Sequence, residues 1–163
     1  MNRIPWKRFL PMALVVAVLT VTATSYQQRA ANSRVTIDHI ALHVTDLNAS
    51  AAFYSEVFGL EEIPAAAKGR RWLYLGNGVA LHLLGDRKVE VVDDRSVHLA
   101  LTTNNLQSII KRLKEREIAW SDFAGSQSTV GTVRTDGVHQ IFFRDPDGYW
   151  IEVNDALKAR ENR

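Results

Sequence analysis

The sequence predicts an α+β domain built from two βαβββ modules, and two observations support this prediction. A stretch that begins at His39 reads HIALHVTDL, and it returns as HLALTTNNL from His98, 59 residues later. Each copy precedes one segment with helical spacing and three short segments in which apolar and polar residues alternate. Alternation of this kind is typical of half-buried strands, and spacing of three to four residues is typical of an amphipathic helix.

The first module is predicted over residues 35–85. Its first strand covers 37–44, and Asp46 follows as a residue type that caps a helix by accepting backbone N–H bonds. Apolar side chains then recur at helical spacing from Leu47, and Gly59 ends the helix. A Gly-Asn-Gly hairpin turn joins the last two strands of the module. Its three later strands are predicted at 60–63, 71–75 and 79–84.

The second module is predicted over residues 96–155 and follows the same order. A strand at 97–103 leads to Asn105 as the helix cap, and the helix begins at Leu106. A long polar loop at 125–138 distinguishes this module from the first, and an Asp-Pro-Asp-Gly turn joins its last two strands. The three later strands are predicted at 119–122, 140–144 and 149–153.

The first 25 residues have the composition of a secretory signal. Arg3, Lys7 and Arg8 precede an apolar run over 9–23, and small residues end the run before Tyr26. The run is shorter than the roughly 20 residues that cross a bilayer, so we favour a cleaved signal peptide over an N-terminal membrane anchor. Both alternatives predict an exported protein, either periplasmic or held at the inner membrane by its N-terminal segment, residues 9–25.

Charge and cysteine content exclude several classes of protein. The whole chain carries a formal net charge of +2, and residues 1–25 carry three basic and no acidic residues, which leaves residues 26–163 at −1. A nearly neutral body does not attract phosphates, so we expect no nucleic-acid partner. The absence of cysteine excludes disulfides, cysteine-bound zinc and thiol nucleophiles.

After the N-terminal segment, the chain is predicted to consist of a polar leader at 26–34, the domain at 35–155 and a polar tail at 156–163.

Strand alternation places four potential metal ligands on one kind of strand face. Successive side chains point to opposite faces of a strand, so each strand divides into an apolar set and a second set. In these strands, the residues opposite the apolar set are small residues together with side chains of types that bind Zn, Ni, Co, Mn or Fe. These ligand-type side chains are His39, His82, His98 and Glu152. We therefore predict one divalent metal ion held by all four.

These motifs resemble the vicinal oxygen chelate superfamily, which includes glyoxalase I, fosfomycin- and bleomycin-resistance proteins and extradiol dioxygenases. The resemblance is carried by DHIALHVTDL from Asp38, FY at Phe53 with FGL at Phe58, VHLAL from Val97 and DPDGYWIEV from Asp145. It implies that the two modules curl into a cup of curved mixed sheet around one divalent metal. It also implies that the ligands come from the first and fourth strand of each module, and that the protein is a homodimer.

Within this superfamily, the resemblance to glyoxalase I implies a lyase or isomerase that transfers a proton between adjacent carbons. Glu152 matches the metal-bound glutamate that carries the proton. His82 stands where bacterial glyoxalase I has a second glutamate. An arginine and an asparagine that bind glutathione are replaced by His43 and Asp86, so the resemblance does not extend to glutathione recognition. The substrate is instead expected to be another small oxygenated metabolite.

Three further residues are candidates for contact with the substrate. Trp150 shares a strand face with Glu152, and His43 lies near the end of the first strand. Arg71 begins a strand and is a candidate for binding an anionic group.

Two alternative functions remain open at this point. An extradiol-type Fe(II) dioxygenase would use His39, His98 and Glu152 as its iron triad, with His82 as an acid/base, although the tyrosine of that pattern is Phe142 here. A non-enzymatic protein that binds a drug or another small molecule would use aromatic residues and no metal. The aromatic candidates for that role are Trp72, Trp120 and Trp150.

Overall fold

Two four-stranded mixed sheets, each covered by one helix, form the body of the chain. A computed structural model describes residues 35–132 and 134–157. Both sheets belong to one compact unit that begins at Asp38. The predicted signal or anchor, the polar leader and the tail beyond residue 157 lie outside the described residues. None of the helices in the described ranges is long and apolar enough to cross a membrane.

The first module contains four strands and a helix, in the order predicted. Its elements are β1 (His39–His43), α1 (Leu47–Phe58), β2 (Glu62–Ile63), β3 (Arg70–Gly76) and β4 (Val79–Leu84). The strands lie in the order β1-β4-β3-β2, with β1 parallel to β4 and the other pairs antiparallel. Asp46 caps α1 by accepting from the backbone N–H groups of Asn48 and Ala49. Gly59 ends the helix at a φ of 74°, a conformation in which a Cβ would be strained.

The second module repeats this topology. Its elements are β5 (His98–Thr102), α2 (Leu106–Glu115), β6 (Trp120–Ser121), β7 (Gln140–Arg144) and β8 (Trp150–Asn154). The strand order is β5-β8-β7-β6, again with one parallel pair at the first strand. The prediction of two βαβββ modules is therefore confirmed. The shortest strands, β2 and β6, cover only two residues each where four were predicted.

One apolar core joins the two modules. It combines side chains from both helices and both sheets, including the fully buried Leu81 and Ile151. The rings of Phe53 and Phe58 on α1 pack against Phe143 on β7, with centroids 6.3 and 6.0 Å apart. Since α1 belongs to one module and β7 to the other, the modules are bound together through their apolar faces, and the opposite faces of both sheets are left for the site.

The turn between β7 and β8 adds polar bonds to this contact. Asp145 accepts a hydrogen bond from the Tyr54 hydroxyl over 2.9 Å, and Asp147 accepts one from the Ser50 hydroxyl over 2.7 Å. Asp147 also accepts from the backbone N–H of Thr45 over 2.7 Å. Burial raises the pKa of Asp145. Burial also acts to raise the pKa of Asp147. The hydrogen bonds that Asp147 accepts outweigh burial, however, and lower its pKa below the ordinary value.

Candidate metal centre

The strand registers place the four proposed ligands in equivalent positions of the two sheets. In the first sheet Trp72 and Ala41 are the neighbours of His82, and in the second sheet Phe142 and Ala100 are the neighbours of Glu152. His39 and His98 begin the first strand of each module. We call the face with His39, His82 and Trp72 the first site face, and the face with His98, Glu152 and Phe142 the second site face. Each site face therefore contributes two ligand-type side chains at the same two positions.

On the first site face, three aromatic rings form a stack. The imidazoles of His39 and His82 lie 4.1 Å apart at an interplanar angle of 11°, and Trp72 lies 4.1 Å beyond His82 at 6°. His39 donates from Nδ1 to the Asp38 carboxylate over 2.7 Å. A carboxylate bonded in this way leaves Nε2 as the nitrogen available to a metal. Burial, followed by the nearby His39, lowers the pKa of His82, which favours the neutral imidazole that binds metals.

On the second site face, the two ligands contact each other directly. The Nε2 atom of His98 lies 3.2 Å from Oε2 of Glu152, and Nδ1 of His98 lies 2.8 Å from the backbone oxygen of Arg95. A carbonyl oxygen only accepts, so Nδ1 carries a proton. In the neutral imidazole Nε2 then carries no proton, and its lone pair faces the lone pairs of the Glu152 carboxylate. This contact is favourable only when a proton or a cation lies between the two atoms.

The buried carboxylate of Glu152 is oriented by two further side chains. Asn154 donates from Nδ2 to Oε1 over 2.7 Å, and the side chains of both residues are buried. Nη1 of Arg134, in the long loop of the second module, lies 3.7 Å from the same oxygen. Because Oε1 is bonded to Asn154, Oε2 is the oxygen that faces His98.

The structure brings the four proposed ligands together as two pairs. His39 contacts His82, and His98 contacts Glu152. Within residues 35–132 and 134–157, no group of three or more His, Asp or Glu side chains is arranged to hold a metal ion. The donor types and the proton on Nδ1 of His98 fit a divalent metal, but one pair supplies too few ligands for a typical protein site. A complete site therefore needs the first and the second site face together.

The candidate substrate residues have different surroundings. Trp150 lies on the second site face, next to His98 in the sheet register, as predicted. Nε2 of His43 donates to the backbone oxygen of Gly85 over 2.6 Å. Arg71 does not lie on the first site face. Its register partner is the core residue Leu83, so its side chain lies on the opposite face of the sheet from His82.

Arg71 also has its hydrogen bonds filled by protein. Its guanidinium donates to both carboxylate oxygens of Glu62, over 2.9 and 2.5 Å, and to Oδ1 of Asn48. Strand alternation already predicts the orientation of Arg71, because the neighbouring residues Arg71 and Trp72 point to opposite faces of the sheet. A tryptophan that belongs to the site face excludes its neighbour from that face.

Comparison with known proteins identifies the family. Residues 36–153 match the family described as the Glyoxalase/Bleomycin resistance protein/Dioxygenase superfamily. The chain belongs to this superfamily. The second module alone supplies the buried glutamate, and the histidine that starts each module is present in both.

Individual relatives are distant but cover most of the domain. Glyoxylase I 4 of Arabidopsis thaliana is 26% identical over 126 residues, which are 72% of this chain and 68% of the relative. Metallothiol transferase FosB of Shouchella clausii is 28% identical over 128 residues, 76% of this chain and 82% of the relative. Among solved structures, oxidase ChaP-H2 has a TM-score of 0.62 at 22% identity over 76% of this chain and 94% of its own, a likeness that shows the fold. Members of the superfamily are often metalloenzymes, as the name metallothiol transferase illustrates.

Sequence reasoning missed several residues that the structure places at the site. Asn154 was within reach, since it shares the strand face of Trp150 and Glu152 by alternation. Arg95 and Arg134 lie in loops, where no periodicity predicts which way a side chain points. Their positions follow from contacts between segments that are far apart in sequence, such as the bonds of Arg95 to the oxygens of Asp122 and Phe123.

Proposed function

We propose that this member of the superfamily is a metal-dependent enzyme of the glyoxalase type, which moves a proton next to a carbonyl group of a small oxygenated metabolite. The observation that carries the proposal is the contact between Nε2 of His98 and Oε2 of Glu152, in which the other ring nitrogen is fixed as a donor. This pair has the donor types, the tautomer and the burial of a metal-ligating pair.

The proposed ligands are His39 and His82 from one site face and His98 and Glu152 from the other. A divalent ion bound there would polarise the carbonyl oxygen of the substrate and stabilise negative charge on it. We propose that the enzyme is a homodimer in which the site faces of two chains complete the metal centre. Two equivalent pairs in each chain support this arrangement, since a two-fold dimer that places the first site face of one chain against the second of its partner completes two identical sites.

In this proposal, Glu152 is the catalytic base. Its Oε1 is bonded to Asn154 over 2.7 Å, which leaves Oε2 to take a proton from the carbon beside the carbonyl and return it to the adjacent carbon. The low solvent exposure of Glu152, 7%, keeps water from competing for that proton. His82 is the second candidate for proton transfer, and its lowered pKa supports a neutral imidazole at physiological pH.

The packing of Phe142 favours proton transfer over the dioxygenase alternative. Its ring is buried and meets His98 edge-on, with centroids 5.4 Å apart. A phenyl ring has no hydroxyl to donate to a bound oxygen species, whereas a tyrosine at this place would have one. We also propose that the enzyme works outside the cytoplasm, because its N-terminal segment has the composition of an export signal.

Metal content tests the proposal first. The full chain is purified without chelator or metal-affinity tag under anaerobic conditions, and its metals are measured by elemental mass spectrometry. We expect about one divalent ion per chain in the wild type, and loss of that ion in His98→Ala. His139→Ala is the matched control, because His139 is also a histidine that contacts a carboxylate, that of Asp155, and it lies outside both site faces.

Each outcome has a defined meaning. Bound Zn, Ni, Co or Mn supports proton transfer, whereas bound iron supports the dioxygenase alternative. No metal after reconstitution with each ion would overturn the proposal in favour of a small-molecule binding protein.

The reaction type is then tested by incubating the metal-loaded chain with small α-hydroxy carbonyl compounds in ²H₂O and following hydrogen exchange at the carbon beside the carbonyl. Exchange that persists unchanged in Glu152→Gln would exclude Glu152 as the base.

A further inference from the structure

A cavity of about 280 Å³ adjoins the second site face and is lined by two arginines. Its walls include Arg95, Arg144, Phe142 and Trp150, and the polar side chains of Ser121 and Gln127 also border it. Phe142 is the register neighbour of Glu152, and Trp150 is the register neighbour of His98. The cavity is therefore lined by the strand neighbours of His98 and Glu152.

Arg95 is a cation that makes no direct ion pair with a carboxylate of the described residues, although its charge contributes to the lowered pKa of Asp93. Its Nη1 donates to the backbone oxygens of Asp122 and Phe123 over 2.9 and 2.6 Å. Among the described residues, no carboxylate lies within 4.0 Å of its guanidinium, in contrast to Arg144, which is paired with Asp93. The Nε of Arg95 is buried and has no hydrogen-bond partner in the described ranges. A buried donor without an acceptor calls for a physical explanation.

Both guanidinium groups are held in place by Trp150. The guanidinium carbon of Arg95 lies 4.3 Å from the centroid of the Trp150 ring, and that of Arg144 lies 4.5 Å from it. The indole N–H donates to Asp93 over 3.2 Å, which fixes the ring. Stacking on an aromatic ring fixes the plane of a guanidinium while its edge is left for hydrogen bonds. Since Nη1 of Arg95 is already used and its Nε is buried, Nη2 is the nitrogen that remains for a ligand.

The backbone of Arg95 also takes part in the proposed metal centre. Its backbone oxygen accepts the hydrogen bond from Nδ1 of His98. The backbone of Arg95 therefore contacts a proposed metal ligand, while its side chain lines the cavity. His98, Trp150 and Arg144 lie side by side on adjacent strands, about 4.8 Å apart per strand. A group bound by Arg95 thus lies within the length of a small metabolite from Glu152.

We propose that this cavity binds the oxyanion group of the substrate, a carboxylate or a phosphate, through Arg95. The proposal rests on the proposed function and names its substrate class: a small oxygenated acid or phosphate ester with its reacting carbonyl beside the anionic group. An oxyanion accepts charge-assisted N–H bonds from a guanidinium, and Nη2 of Arg95 is the donor that this cavity offers. Arg144, already paired with Asp93, also lies against the Trp150 ring and lines the same cavity.

Binding of simple oxyanions tests this proposal without a known substrate. The probes are benzoate for a carboxylate and phenyl phosphate for a phosphate, with benzamide as the neutral analogue of matched size. Binding to the full chain is followed by the ¹⁵N–¹H resonance of the Trp150 indole, assigned by its absence in Trp150→Phe. We expect saturable shifts with one or both anions and none with benzamide. The anion that binds more tightly identifies which oxyanion the substrate carries.

Variants distinguish a specific site from a general effect of charge. Arg95→Gln is expected to weaken the binding of the preferred anion at least tenfold, and Arg95→Lys to weaken it less. Arg112→Gln is the matched control, because Arg112 also donates to a backbone oxygen, that of Val57, and its loss changes the net charge equally. Equal weakening by the two Gln variants, or no weakening in Arg95→Gln, would overturn the proposal. Unchanged thermal unfolding of Arg95→Gln verifies that a loss of binding is local.

The same titration in chelator-treated and metal-loaded protein separates this proposal from the proposed function. Arg95-dependent binding in both forms supports the oxyanion site, even if the protein then proves to bind no metal. Binding that appears only with metal and is insensitive to Arg95→Gln would overturn the oxyanion site and leave the metal centre supported.

Discussion

The side-chain amide of Asn154 donates to Oε1 of Glu152 over 2.7 Å, between two buried residues on the same face of β8. This bond fixes the plane of the carboxylate and leaves Oε2 directed at His98. The second site face thus carries a catalytic candidate together with the residue that orients it. Residues that orient a ligand in this way tune the affinity of a metal site.

Removal of the Asn154 amide should weaken metal binding. We expect Asn154→Ala to bind the divalent ion about 10–100-fold more weakly than the wild type, because the carboxylate loses its fixed orientation. The measurement is competition with a chromophoric chelator. Asn48→Ala is the matched control, since Asn48 is an exposed amide that bonds to Arg71. Equal affinity of Asn154→Ala and the wild type would show that Asn154 has no positioning role.

Metal binding by mixtures of variants should reveal whether the site lies between chains. One variant, His39→Ala with His82→Ala, loses the first site face, and the other, His98→Ala with Glu152→Gln, loses the second. Neither variant is expected to bind metal alone. A randomly mixed dimer population should recover about one quarter of the wild-type metal content, because half of the dimers are mixed and each has one complete site. No recovery after co-expression, with dimers verified by light scattering, would contradict a site shared between two chains.

The turn between β7 and β8 should be important for stability. Asp147 is buried and accepts hydrogen bonds from the Ser50 hydroxyl and the Thr45 N–H, and its Oδ1 forms an ion pair with Arg87, 3.3 Å from Nε. Asp147→Ala leaves these groups without their acceptor, and we expect the free energy of unfolding to fall by about 3 kcal/mol. Urea unfolding measures the change. Glu56→Ala, which removes an exposed ion pair with Arg116, should cost at most about 1 kcal/mol.

Stability should decline at alkaline pH because of Tyr54. Burial, and then the neighbouring Asp145, raise the pKa of the Tyr54 hydroxyl well above its ordinary value. A tyrosine in the unfolded chain loses its proton near pH 10, whereas folded Tyr54 keeps it to higher pH. The contribution of Tyr54 to stability is therefore complete below about pH 10 and is lost as the pH rises above it.

Thermal unfolding between pH 8 and 11 checks this expectation. Tyr54→Phe should be less stable than the wild type at pH 8, because the bond to Asp145 is lost, yet its melting temperature should fall less steeply with pH. Tyr74→Phe is the control, since Tyr74 is 43% exposed. Identical slopes for the wild type and Tyr54→Phe would show that Tyr54 does not contribute to the alkaline decline.

The sequence by itself determined the two modules, the order of their elements and the residues on each strand face. The repeat that starts at His39 and His98, the caps Asp46 and Asn105, and the stop at Gly59 are all short-range signals, and each appears in the structure as predicted. Alternation along a strand depends only on the local backbone, so His82 and Glu152 were correctly placed at equivalent positions of the two sheets.

Tertiary structure decided which side chains meet. It separated four proposed ligands into two pairs, bonded Arg71 to Glu62 and Asn48 on the sheet face opposite His82, and brought the loop residue Arg95 beside Trp150. These results depend on how loops and modules pack, and that packing is fixed by contacts between residues distant in the chain, such as Phe53 with Phe143 and Tyr54 with Asp145. A repeating pattern shows which face a residue occupies, whereas only the packed chain shows what that face opposes.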